Sequence, residues 1–208
     1  MTTPPAPTPP PRLAVLLSGG GRTLVNLAAA IRQGILPASV QLVIASKPCA
    51  GCDRARALGL EPHLIPGPIP ASRLGQLLAD HRIDFVVLAG YLTRLEIPPA
   101  YRGRIVNIHP ALLPAHGGHG MYGRRVHEAV LAAGDTTSGC TVHLVDDEYD
   151  RGPIIAQSRV PVLKSDTPES LAARVFEAEC ATYPAAIAKL LRTLGNEPSA
   201  QAEDARPR

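Results

Sequence analysis

The 208-residue chain has no tryptophan and few other aromatics, five Tyr and two Phe, so aliphatic side chains must fill its core. A hydrophobic content of 45% supplies them, and a chain this long buries roughly 70% of its unfolded surface as one domain without covalent staples. No apolar stretch approaches the roughly 20 residues needed to span a bilayer, and MTTPPAPTPPPR has no signal-peptide apolar region. A cytoplasmic protein without membrane partners is expected. No Lys/Arg run of five or more occurs, and the formal charge of +3 is scattered, which excludes an obvious nucleic-acid footprint and favours small anionic substrates. Of only four cysteines, Cys49 and Cys52 form CAGC while Cys140 and Cys180 stand alone. A zinc site wants a second close pair and a redox motif wants exposed thiols, so these read as structural or incidental.

What is present is alternation. LAVLLS (13–18), QLVIAS (41–46), PHLIP (62–66), FVVLAG (85–90) and RIVNIH (104–109) are short apolar runs that read as strands. Between them LVNLAAAIRQG (24–34), CDRARALG (52–59) and SRLGQLLADHR (72–82) have helical spacing. The pattern predicts an α/β fold with a mostly parallel sheet covered on both faces. After a helix at 126–134, CTVHLVD (140–146) and GPIIAQSRVPV (152–162) lie too close for a crossover helix and must pair antiparallel. Asp166 or Thr167 should cap a last helix, with Pro168 in its first turn, Glu169 placed for a capping box, and a kink or break at Pro184. Residues 1–11 and 196–208 read as disordered tails flanking a domain over 12–195.

Three stretches carry chemistry. SGGGRTL (18–24) joins the first strand to the first helix, where backbone N–H groups and the helix dipole favour an anion. It lacks the third glycine of a dinucleotide fingerprint, and no Gly-Lys-Ser/Thr follows. In RIVNIHP the strand period places Ile105, Asn107 and His109 on one face, at the carboxyl end where open α/β sheets keep their crevices. An Asn donating to an oxyanion beside a proton-carrying His suits acyl-type transfer, although residue types alone leave a plain hydrogen-bonded strand end equally open. VDDEYDRGP (145–153) is an acidic turn that fails the EF-hand template at Arg151, and one of its carboxylates near His109 would favour the charged imidazole. Spacing does not choose among them. His143 reads as a core histidine, and His116 and His119 have no assigned role.

SGGG, LAGY, NIHPALLP, GCTVHLVDDEYDRGP and ARVFEAE, in this order over about residues 13–192, resemble the folate-dependent formyltransferases, in particular their phosphoribosylglycinamide branch. The resemblance implies a Rossmann-like three-layer formyltransferase fold and formyl transfer from the co-substrate 10-formyltetrahydrofolate to 5-phosphoribosylglycinamide in purine biosynthesis. No metal is expected, the partners are small molecules, and the working unit is a monomer or homodimer. It assigns catalysis to Asn107, His109 and Asp150, selecting one acid from the cluster. It places Gly21, Arg22 and Thr23 at the substrate phosphate and Glu179 at the ribose. Leu92, Thr93, Arg94, Leu95, Asn107, Asp146, Asp147, Glu148, Tyr149 and Asp150 line the folate pocket. It also implies a cis peptide between Leu113 and Pro114.

The chain departs from the family pattern in places. Arg22 and Thr23 stand where SGxGSN is usual, GYLTRL replaces GFMRIL, and GGHGMYG replaces the common loop after LLP. The rival readings are a methionyl-tRNA-type formyltransferase, a formyltetrahydrofolate hydrolase, and a non-catalytic folate or nucleotide sensor. The first two usually carry a further domain, for which this sequence leaves only a Pro-rich leader and a short tail.

Overall fold

The computed structural model describes residues 9–195, so the expected C-terminal tail and most of the N-terminal one lie outside it. Strands β1 (Arg12–Leu17), β2 (Ser39–Ala45), β3 (Pro62–Leu64), β4 (Phe85–Leu88), β5 (Ile105–His109), β6 (Thr137–Leu144) and β7 (Ile154–Pro161) form one sheet in the order β3-β2-β1-β4-β5-β6-β7. Helices α1 (Arg22–Arg32), α2 (Ala50–Ala57), α3 (Ala71–Asp80), α4 (Arg124–Ala132) and α5 (Pro168–Gly195) cover it, with a 3-10 turn at Pro99–Tyr101.

Alternation along β1 divides the core. Leu13, Val15 and Leu17 point to the face covered by α1, α2, α4 and α5, while Ala14 and Leu16 meet α3 and the 3-10 turn on the other. Both faces are buried, which is why these strands read as unbroken apolar runs. β1 to β5 run parallel, and β6 and β7 pair antiparallel as expected. The antiparallel relation extends to β5 and β6 as well. Residues 110–136 stay at the carboxyl end of β5, so β6 starts there and runs back beside it, with Thr141 opposite His109 and His143 opposite Asn107.

α5 departs from expectation twice. Its cap is a reciprocal pair, with Ser170 N–H donating to Thr167 Oγ1 at 3.3 Å and Thr167 N–H donating to Ser170 Oγ at 3.0 Å. With Thr167 as the cap, Glu169 falls one place short of the capping-box position and instead pairs with Arg124. Nor does Pro184 interrupt the helix, which is continuous from Pro168 to Gly195. Proline removes the donor for the carbonyl four residues earlier, that of Cys180. Asn26 of α1 supplies the replacement, its Nδ2 donating to Cys180 O at 3.0 Å. One turn away the fully buried Tyr183 hydroxyl lies 2.8 Å from Leu88 O and 3.0 Å from Val106 O, donating to one of them at a time, and so ties α5 to the ends of β4 and β5.

Candidate active site

The carboxyl ends of β1, β4 and β5 open onto the loops that carry the sequence-predicted residues. Ser18, just past β1, accepts from Leu92 N–H at 2.9 Å and from the Ser46 hydroxyl at 2.6 Å, which fixes the start of the 92–95 loop. Beyond β5, Thr141 Oγ1 donates to Ala111 O at 2.7 Å and accepts from Leu113 N–H at 3.0 Å, while Gln157 Nε2 donates to Leu113 O. These bonds hold the turn after His109, in which the Leu113–Pro114 peptide is cis.

His109 is 3% exposed. Its Nε2 lies 2.8 Å from His116 O, an acceptor, so this nitrogen carries the proton, and its Nδ1 faces Asp150 Oδ2 at 3.5 Å. Asp150, on the turn between β6 and β7, has a left-handed backbone (φ 57°) and accepts at Oδ2 from Gly118 N–H at 2.9 Å. Its other oxygen, Oδ1, lies 3.5 Å from His143 Nε2. His143 Nδ1 donates to Leu144 O at 2.9 Å, leaving Nε2 toward Asp150 and toward Asn107 Nδ2 at 3.2 Å. Asn107, His109 and Asp150 are thus brought together, and His143 joins them.

Burial pushes the His109 imidazole below its ordinary value, opposed by the Asp150 charge and the His116 carbonyl. Burial also pushes Asp150 up, yet the His143 hydrogen bond, the His109 charge and the Gly118 N–H together bring it below the usual carboxylate range. The pair therefore holds a carboxylate against a mostly neutral imidazole, poised to take a proton when negative charge develops beside it.

Two cavities flank this group. One of about 450 Å³ is lined by every residue assigned to the folate pocket, Leu92, Thr93, Arg94, Leu95, Asn107 and Asp146–Asp150. The loop GGHGMYG forms much of its remaining wall, and His119 packs edge-on to Tyr149 with ring centroids 5.4 Å apart. The other, of about 300 Å³, holds Arg22 and Glu179 together with Phe176, His127 and Arg124. Arg22 stacks on the Phe176 ring at 3.6 Å, and burial pushes the Glu179 carboxyl up to about 7 despite the Arg22 charge. Gly21 and Thr23 are not part of its walls; Gly21 (φ 72°) heads α1 and packs on Gly51. Pro110 and Gly123 border both cavities, so the two spaces meet next to His109.

A family model described as formyl transferase matches residues 11–187. The chain belongs to the formyl transferase family. Among its relatives, the Arabidopsis thaliana protein named phosphoribosylglycinamide formyltransferase, chloroplastic, is 42% identical over 182 residues, 83% of this chain and 62% of that one. The phosphoribosylglycinamide formyltransferase of Haemophilus influenzae is 35% identical over 85% of each chain. The crystal structure of glycinamide ribonucleotide transformylase 1 from Symbiobacterium toebii superposes with a TM-score of 0.80 at 37% identity, covering 88% of both chains. The chain thus spans less than two thirds of the plant protein's length.

Within this formyl transferase fold, sequence reasoning missed three groups. His143 read as core because its partners lie on another strand and a distant turn, and only the β5–β6 register places it opposite Asn107. His116 contributes a carbonyl and Gly118 an N–H, backbone groups that carry no side-chain signature. The Gly117–Gly118 pair was the available signal, since adding a Cβ at Gly117 would bring it to 3.3 Å from Asp150 Cβ. Among the described residues no group of three or more His, Cys, Asp or Glu is placed to hold a metal, and no helix is long and apolar enough to cross a membrane.

Proposed function

We propose that the chain transfers a formyl group from 10-formyltetrahydrofolate to the amine of 5-phosphoribosylglycinamide, giving formylglycinamide ribonucleotide and tetrahydrofolate. The observation that carries this reading is the meeting of two cavities beside His109, one walled by apolar and acidic loop residues and the other by Arg22 and Glu179. A reaction between two bound molecules needs such a junction, and a hydrolase needs only one such pocket. The names of relatives that match most of their own length support the acceptor.

In this reading the folate occupies the larger cavity, against Leu92–Leu95 and the 146–150 turn. The acceptor lies in the smaller one, its phosphate toward the N–H groups at Gly21, Arg22 and Thr23 and its ribose hydroxyls on Glu179. Asn107 donates to the oxygen of the formyl group as the amine adds to its carbon. The growing negative charge offsets the burial that holds His109 neutral, so the imidazole takes up a proton from water, stabilises the oxyanion by its charge, and returns that proton as the tetrahedral carbon collapses. Asp150 keeps that imidazolium oriented and relays the proton lost by the amine toward N10 of the folate, the leaving nitrogen. The folded unit spans 12–195 and acts in the cytoplasm as a monomer or homodimer on these two small molecules.

The test offers purified protein 10-formyltetrahydrofolate with one of three acceptors: 5-phosphoribosylglycinamide, methionyl-tRNA, or water alone. Formylation of the ribonucleotide is expected. Turnover with tRNA, or folate hydrolysis with no transfer, would sink the reading.

A further inference from the structure

The CAGC pair sits directly beneath the glycine turn that heads α1. Cys49 caps α2 from an extended conformation and is half-buried; Cys52, one turn on, is 7% exposed; their sulfurs are 3.9 Å apart. A pocket of about 200 Å³ opens on both, bordered by Pro48, Asp53 and Arg56. Three links join this turn of α2 to residues 19–21. Gly51 N–H donates to Gly19 O at 3.0 Å, the Arg54 guanidinium donates to Gly20 O, and the backbone of Gly21 lies so close to Gly51 that a Cβ there would meet Gly51 Cα at 2.6 Å. Gly51 has no slack of its own, since a Cβ on it would meet Leu17 Cδ1 at 2.7 Å and Gly19 O at 2.8 Å.

We infer that Cys49 and Cys52 form a reversible disulfide with a low-molecular-weight disulfide as oxidant, and that its closure displaces Gly51 and weakens anion binding at the 19–23 turn. The functional half of this inference rests on the phosphate site proposed above. Cys49, the more accessible thiol, attacks as thiolate one sulfur of RSSR and expels RS⁻, leaving a mixed disulfide. Cys52 then gives up its proton and attacks Cys49 Sγ, expelling the second RS⁻. Both leaving groups take up the protons lost by the cysteines, so two protein thiols are oxidised and one RSSR becomes two RSH. Burial raises the Cys52 thiol, which suits the second, intramolecular attack rather than the first. Bond formation must shorten the sulfur separation to about 2.05 Å, and the first turn of α2 with Gly51 between the two cysteines absorbs the movement.

The test equilibrates the full chain in mixtures of reduced and oxidised glutathione. Mass spectrometry after alkylation reads the disulfide, hydrogen exchange reads the Gly19–Thr23 amides, and amide chemical shifts read inorganic phosphate binding. A Cys49–Cys52 bond reversed by dithiothreitol is expected, with Cys140 and Cys180 still alkylated, altered exchange at Gly19–Thr23, and phosphate affinity lower by about fivefold or more. Cys49→Ser should abolish all three responses while matching the reduced protein's activity, and Cys52→Ala should do the same by removing the second thiol. Absence of the bond, or a bond with unchanged exchange at Gly19–Thr23, overturns the inference. Phosphate binding in neither state, with exchange still responding, overturns the phosphate reading instead.

Discussion

A carboxylate between two imidazoles has two oxygens to share, and Asp150 gives one to each: Oδ2 toward His109 and Oδ1 toward His143, both at 3.5 Å. In the proposed mechanism His109 carries the proton, so His109→Ala should lower the rate of the proposed formyl transfer by about 10² to 10⁴-fold while circular dichroism and Tm remain close to wild type. An unchanged rate would remove His109 from the mechanism. His143 acts one step back, by holding Asp150 and Asn107. His143→Ala should lower kcat by up to about 100-fold through misplacement of those groups. It should also shift the acid limb of the pH–rate profile upward, because the bond to His143 helps to keep the Asp150 carboxyl low. A fall in kcat with an unmoved acid limb would reduce His143 to packing.

At the scale of elements, α1 decides more than its length suggests. Its N-terminus is held by a left-handed Gly21 against Gly51, and its Asn26 satisfies the carbonyl that Pro184 orphans in α5. Gly21→Ala introduces a Cβ both into a left-handed backbone and against the backbone of α2, so a loss of about 2 kcal/mol or more is expected in urea unfolding. Asn26→Ala leaves Cys180 O without its donor and should cost about 1 to 2 kcal/mol. Pro184→Ala returns an N–H to that carbonyl, so the Asn26 penalty should shrink in the Pro184→Ala background; equal penalties in both would show that the bond is not what carries α5 through the proline.

For the molecule as a whole, groups with opposite linkage share the site. His109 and His127 are held below 6.5 by burial, so their neutral forms favour the folded state fully above pH 6.5, and stability is lost as the pH falls below it. Glu179 is raised from 4.5 to about 7, so its contribution is fully present below pH 4.5 and is lost as the pH rises toward 7. The two trends offset between pH 4.5 and 6.5. Glu179→Gln removes the second, and the variant should gain stability over wild type as the pH rises, reaching about 3 kcal/mol by pH 8. Thermal unfolding across this range measures it, and a constant difference between variant and wild type would contradict the raised carboxyl.

The sequence by itself determined the elements and one side of the site. Apolar runs ending in glycine or polar residues are a local signal, so the strands and helices could be placed, and a period of two put Asn107 and His109 on one face. The expected break at Pro184 does not occur, because Asn26 supplies the compensating donor from a helix far away in sequence. The acidic turn offered four carboxylates and no reason from spacing to prefer Asp150; the family resemblance chose it, and the structure alone shows it between His109 and His143. Only the tertiary structure made His143, the His116 carbonyl and the Gly118 N–H part of that group. Their placement depends on the register of β6 against β5 and on a loop folding back over a turn, relations between distant segments that no local periodicity encodes.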